Sequence, residues 1–237
     1  MMNNFLKYQF RNFGRSYKFI PPYVIYITWI MLLYVYKDIP ILSSYGISFI
    51  VLTFISTWLT VMILQSDTLS EKELHYIQLQ SLYKYLIGKF VFSLLLLLPL
   101  ILFAIGYPVI MNVYDKNIQF FHLFLGVYSH ISGCILGISI AFILANTSLS
   151  NKKYAWLMGV FILLISLLKE VFITYIPFLK SISWILPPFS EINEILTYGD
   201  NVKMNTTLLF NMGYTYFYLI VLVLIFFIII KKSDLKE

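Results

Sequence analysis

Few residues in this chain could do chemistry, and those few are far apart. Its 237 residues include three histidines and a single cysteine. His75, His122 and His130 form no H-E-x-x-H pattern, and no cluster of carboxylates joins them, so neither a metal ligand set nor a metal-activated water is expected. No Glu-Glu pair of the kind an intramembrane protease carries lies in an apolar run. Cys134 alone rules out a disulfide framework or a thiolate zinc site and reads as a small buried apolar residue. Gly88-Lys89 is the sole Gly-Lys pair. It has Tyr83 where a phosphate-binding loop needs its first glycine and Phe90 where it needs Ser or Thr. The chain is therefore expected to be no enzyme, to bind no cofactor or metal, and not to hold ATP in the P-loop manner.

The polar residues that remain stand out against an apolar background. The chain is 60% hydrophobic and 12% charged, with a mean hydropathy of +0.83, whereas soluble domains carry about 25% charged residues. Too little polar surface exists to coat a water-soluble globule. A bilayer core of about 30 Å needs roughly 20 apolar residues as a helix, and six such runs occur, at 21–36, 45–64, 90–111, 120–144, 154–176 and 208–230. They are continuously apolar rather than alternating, which excludes a membrane barrel. No cleavable signal peptide is expected, since the first run begins only near Phe19 and no A-x-A-like site follows it.

An even number of spans puts both termini on one side. With that side cytoplasmic, the inner basic residues are Lys7, Arg11, Arg15, Lys18, Lys72, Lys84, Lys89, Lys152, Lys153, Lys231, Lys232 and Lys236. Only Lys37, Lys116, Lys180 and Lys203 fall outside, and Lys169 lies within a run. Excess cations on one face orient a membrane protein with that face inward. The expectation is an all-α integral membrane protein of six transmembrane helices, N-in and C-in, with 21–237 forming one membrane domain.

Two amphipathic pieces lie on the inner side. In 1–20, Leu6, Phe10, Phe13 and Tyr17 share one face at helical spacing, while Lys7, Arg11, Arg15 and Lys18 share another. That segregation fits a helix in the headgroup layer, with its cations toward anionic lipid. The second piece is the loop 65–89. Ser70 and Glu73 read as a capping box, and Glu71 and Glu73 suit a helix N-terminus. Leu74, Ile77 and Leu82 offer apolar knobs among Lys72, His75, Gln78 and Gln80. The segment is either a short helix that docks onto another protein or a solvated loop.

Glu71, Glu73, Leu79, Ser81, Gly88 and Lys89 give this loop an E-x-E start, a Leu-bearing helix, a serine and a Gly-Lys entering the third span. In that layout the chain resembles the permease subunits of ABC type-2 exporters. Leu74 and His75 replace the Gly-Thr usual in that family. The resemblance extends over nearly the whole chain through the six spans, the N-terminal helix and the long last outer loop. It implies that 70–89 is a coupling helix gripped by a separate ATPase subunit, present in two copies and carrying the ATP and magnesium. Its ATPase-coupling residues would be Glu71, Glu73, Leu74, Ile77, Ser81, Gly88 and Lys89. A second permease copy or a paralogue would complete the route. In the outer loop 177–207, apolar Trp184 is followed by Pro187-Pro188, and Ser190 with Glu191 and Glu194 starts a second short helix. Two short helices broken by prolines resemble the family's re-entrant helical hairpin, and an ordinary surface loop with an interfacial Trp is the alternative.

Candidate pathway or gating positions follow from polarity inside the runs. Lys169 and Glu170 are each costly near a bilayer centre, by at least about 3 kcal/mol. They either snorkel or pair structurally, or else they face a cavity or a neighbouring subunit. Thr53, Ser56, Thr57 and Thr60 make a hydroxyl face that either lines a route or bonds back to its own backbone. Gly126, His130, Gly133 and Gly137 share one face of the fourth run and read as a close-packing stripe. A small permease with few fixed charges suits an amphipathic cargo, and the family resemblance points to an antimicrobial or cytolytic peptide, exported or resisted at the bacterial cell membrane. Lipid, drug, ion or polysaccharide efflux, or an ATP-independent immunity protein or channel, are the alternatives.

Overall fold

Long apolar runs with no alternating polarity can satisfy their backbone groups in lipid only as helices. The computed structural model describes residues 1–145, 155–197, 199–201 and 204–234, with side chains omitted at 155 and 226–234. Lys152, Lys153, Lys203 and Lys236 of the inner and outer sets lie outside the described residues. The helices are α1 (Met2–Arg15), α2 (Ile20–Leu33), α3 (Ile41–Leu64), α4 (Leu69–Leu79) and α5 (Leu82–Ile110). They continue with α6 (Phe120–Ala145), α7 (Ala155–Leu167), α8 (Lys169–Tyr175), α9 (Phe189–Thr197) and α10 (Thr206–Asp234). Among the described residues the only β-type contact is an isolated bridge between Ile39 and Tyr114.

Four helices are long and apolar enough to cross a membrane: α3, α5, α6 and the 206–225 part of α10. The fifth apolar run is broken. Helices α7 and α8 meet at Leu168 with a bend of 57°, and together they reach span length. The first run supplies only the 14-residue α2, roughly 21 Å at 1.5 Å per residue. Its surroundings shape that helix: Tyr17, at φ 56°, breaks it from α1, and Asp38, at φ 62°, turns the chain into α3.

Helix α3 lies at the centre, packed along α6 and flanked by α2, α5, α7 and α9. The α3–α6 seam is close because α6 offers glycine where α3 offers hydroxyls. A Cβ on Gly137 would lie 1.9 Å from Ser56 Oγ and 2.7 Å from the Thr53 carbonyl, so the helices touch backbone to backbone there. The glycine stripe thus packs as its spacing indicates. Outward surfaces remain apolar, as at Leu98 and Leu102 of α5 and Phe210 and Phe217 of α10, which is the pattern a lipid solvent permits.

In the loop 177–207 the short helix expected after Pro187-Pro188 is present as α9, but the segment before the prolines is no α-helix. Pro177–Ser181 and Ser183–Ile185 are 3-10 turns. The following α9 is a core element, with Phe189, Ile192, Ile195 and Leu196 fully buried. It wedges against α3, α6, α7 and α10. At this end Asp200 clamps two helices. Its carboxylate accepts from the first backbone N–H groups of α3, Ile41 (2.9 Å) and Leu42 (2.8 Å). Those donors have no intrahelical partner and sit at the positive end of the helix. The Asp200 carbonyl lies 2.8 Å from His122 Nε2, and His122 Nδ1 accepts from Gln119 N–H, which fixes Nε2–H as the donor.

Candidate functional site

Helix α4 is set at the end of the bundle where α3 stops and α5 begins. Its first turn is capped, but not by the pair the spacing favoured. Thr68, not Ser70, is the N-cap, and Glu71, not Glu73, is its partner. The Thr68 N–H donates to Glu71 Oε2 (2.7 Å), and the Glu71 N–H donates to Thr68 Oγ1 (3.3 Å). Both Thr68-Glu71 and Ser70-Glu73 have capping-box spacing. The first wins because Asp67, one residue earlier, is anchored in the bundle. These bonds also hold the Glu71 carboxyl below the usual range, through the Thr68 backbone first and its hydroxyl second. Gln80, in the left-handed region at φ 55°, ends the helix, and extended Ser81 opens α5.

The two faces of α4 differ sharply. Leu69, Leu74 and Ile77 are 79%, 52% and 75% exposed, beside exposed Glu73. The opposite face carries His75 and Leu79, both buried. His75, expected among the polar surface residues, instead meets Phe5, Tyr8 and Tyr85 at ring separations of 5.1, 5.0 and 6.1 Å. Leu82 is the first residue of α5 and is partly buried, so the exposed apolar knobs are Leu69, Leu74 and Ile77.

Beneath α4 lies a buried ion pair that local sequence patterns did not disclose. Lys89 Nζ stands 2.8 Å from Asp67 Oδ2, with both side chains fully buried. Lys89 also donates to Gln9 Oε1 (2.9 Å) and to the Ile63 carbonyl (3.2 Å). The Tyr85 hydroxyl donates to Asp67 (2.8 Å), as does Ser66 (3.1 Å). Burial raises the Asp67 pKa, but Lys89 and these donors outweigh it, and the carboxyl titrates below its usual range. One ammonium therefore ties α1, the end of α3 and α5 together. Lys89 is accordingly a buried joint, closed to any direct contact with a partner. Gly88 serves the same joint: a Cβ there would meet the Phe5 ring at 2.5 Å, so only glycine admits α1 this close to α5.

The packing of α1 follows from this joint. Phe5, Gln9 and Phe13 face the bundle, and Phe13 meets Phe92 edge-on. The buried face is thus rotated from the Leu6, Phe10, Phe13 and Tyr17 set. Lys7, Arg11 and Arg15 are exposed on the side of α1 away from Gln9, and Lys18, past the end of that helix, is exposed as well.

Lys169 is buried and ion-paired with Glu191 of α9, while Glu170 is exposed and points elsewhere. Thr53, Ser56 and Thr57 donate to carbonyls one turn back (2.9, 2.8 and 3.1 Å), and Thr57 also reaches the Gly137 carbonyl at 3.2 Å. With Thr60 they are buried in the α3 core, the first three against α6. Trp184 is exposed and Pro187 buried beside α9. The structure thus gathers Glu71, Glu73, Leu74 and Ile77 on α4, with Ser81, Gly88 and Lys89 as its support, and keeps this group apart from the Lys169, Trp184 and Pro187 end. Sequence reasoning missed Asp67, Gln9 and Asp200, and it placed Glu191 at a helix start without pairing it to Lys169. The available signal for Asp67 was a carboxylate just past one apolar run and a lysine just before the next, because antiparallel spans bring such ends together. Among the described residues no three of His, Cys, Asp and Glu converge as metal ligands.

No protein-family model matches this chain, and neither does any curated protein or solved structure.

Proposed function

We propose that this chain is the membrane-spanning permease subunit of an ABC type-2 exporter, with α4 as the coupling helix that a separate ATPase grips. The observation that carries this reading is the construction of α4. It is a capped helix with three exposed apolar side chains on one face, and its other face is locked to the bundle. Force applied to Leu69, Leu74 and Ile77 cannot be lost in a slack loop. It passes through His75 and Leu79 to α1 and through the Asp67–Lys89 pair to α3 and α5, and α3 is the hub of the fold. An exposed apolar cluster on a rigid mount has the anatomy of a protein-docking hot spot.

In this reading the chain crosses a bacterial cell membrane six times, counting α2 and the bent α7–α8 pair, with both termini cytoplasmic and α1 near the inner interface. Loop 177–207 and α9 close the outer end. Two ATPase copies and a second permease copy or paralogue complete the machine. Exposed apolar surfaces and scarce fixed charge favour an amphipathic cargo, taken here as an antimicrobial or cytolytic peptide. The test is to purify the chain with its ATPase in nanodiscs and measure ATP hydrolysis across amphipathic peptides and lipids. Stimulation by peptides is expected. Stimulation by non-peptide ligands alone would remove the peptide assignment, and an ATPase that never associates would remove the transporter itself.

A further inference from the structure

Between α1 and α4 lies a cup of about 440 Å³ whose rim includes Leu74 of the docking face but neither Leu69 nor Ile77. Asn4, Phe5 and Tyr8 wall it from α1, and Glu71, His75 and Gln78 from α4. His75 is only 4% exposed, yet neither of its ring nitrogens makes a well-formed hydrogen bond; the Gln78 side chain is its one polar neighbour close enough to interact. A buried polar group left unmatched in this way costs about 1–3 kcal/mol, so the ring is poised for something that enters the cup.

We propose that this cup is a binding site for an organic cation, an ammonium or guanidinium group, attracted by Glu71 and the Phe5 and Tyr8 rings and hydrogen-bonded by His75. Three observations support this. The polar groups that line the cup are rich in acceptors: the Glu71 carboxylate, the amide oxygens of Asn4 and Gln78, and a free imidazole nitrogen. No lysine or arginine side chain lines it, and Glu71 is its one carboxylate; the only cationic group among its lining residues is the α-ammonium of Met1, an exposed residue. Burial, which outweighs the pull of Asp67 and Glu71, lowers the His75 pKa, so the ring is neutral near pH 7 and able to accept. Aromatic walls with a single carboxylate suit a weakly hydrated organic cation held within about 6 Å of a ring. A hard metal ion needs six or more oxygen ligands, and the cup does not supply them. The group can come from a dissolved amine or from an aminophospholipid headgroup. The inference does not depend on the transport reading.

The test uses the full chain with 15N-labelled histidine in nanodiscs of phosphatidylglycerol, with N-methylguanidinium as probe. His75→Gln assigns the His75 signals among the three histidines. N-Methylguanidinium is expected to move the His75 ring nitrogens saturably at millimolar concentration, while its neutral isostere N-methylurea leaves them in place. Glu71→Gln weakens binding at least tenfold, and it keeps the α4 cap because glutamine also serves at that capping-box position. Phosphatidylethanolamine added to the discs assigns the source. Competition with the probe identifies the headgroup, and unaltered titration identifies a dissolved amine; the cation site stands in both cases. An equal response to N-methylurea, no saturable response, or full affinity in a folded Glu71→Gln chain overturns the proposal. The N-methylurea comparison needs no variant and so decides even if Glu71→Gln does not fold.

Discussion

Replacing Lys89 by methionine tests the joint beneath α4 most severely. The substitution keeps the length and apolar stem of the side chain and deletes the ammonium. Four polar interactions vanish: the ion pair with Asp67 at 2.8 Å and the bonds to Gln9, the Ile63 carbonyl and Ser66 Oγ. Asp67 keeps Tyr85 and Ser66 as donors but no counter-charge. Removing one partner of a fully buried pair typically costs about 3–5 kcal/mol, because the remaining charge stays buried and uncompensated. One newly unpaired acceptor, Gln9 Oε1, adds to that strain, while the Ile63 carbonyl keeps Ser66 as donor, so a loss within that range is expected for Lys89→Met. Adding Asp67→Asn removes the stranded charge and is expected to recover at least about 2 kcal/mol, since neutral replacements of buried pairs are often tolerated. Reversible unfolding by steric trapping in micelles reads all four corners of the cycle. Lys89→Met within about 0.5 kcal/mol of the parent, the scatter of an ordinary surface change, would refute the reasoning. So would a double variant whose loss equals the sum of the single losses.

Four further outcomes follow from the geometry. The Asp67 pKa is depressed in the fold, so the pair contributes fully above the unfolded value of about 4; its share is lost only as pH falls through the folded value, seen as parent and Asp67→Asn melting curves converging in acid. His75 also has a lowered folded pKa, but as a base: the unfolded chain takes up its proton first as pH falls below about 6.5. The parent should therefore lose stability between pH 7 and 5 relative to His75→Phe. Gly137→Ala forces the α3–α6 seam apart and should cost at least about 1–3 kcal/mol, whereas Gly106→Ala, with nothing within 4 Å of the added methyl, should be close to neutral in the same unfolding assay. Lys169→Met strands Glu191 and should destabilise the chain, with recovery in Lys169→Met, Glu191→Gln; Glu170→Ala should change neither stability nor transport.

The sequence discloses local periodicity well and contacts between distant residues poorly. Runs of apolar residues announced the helical class and the long α3, α5 and α6, because helix formation in lipid depends only on the residues within the run. The short helix at 69–79 was legible for the same reason, although its cap lay two residues earlier than Ser70. Two identical spacings competed there, and the anchor that decided between them, Asp67, is set by Lys89 across a loop. Residue spacing gave a short helix from Ser190 but could not give its burial, the break at Leu168 or the carboxylate of Asp200 on α3. Each of these depends on partners tens to more than a hundred residues away. The polarity of His75 misled for a related reason. An aromatic nest of Phe5, Tyr8 and Tyr85, from two other helices, buries a residue type that is usually wet.

The most direct test of the central claim places a single cysteine on the exposed face of α4. Ile77→Cys in a Cys134→Ala background, co-purified with the ATPase in nanodiscs, should crosslink to that subunit in a nucleotide-dependent way, while Leu102→Cys on the apolar flank of α5 should not. A complex that hydrolyses ATP yet never crosslinks from positions 69, 74 or 77 would contradict the account.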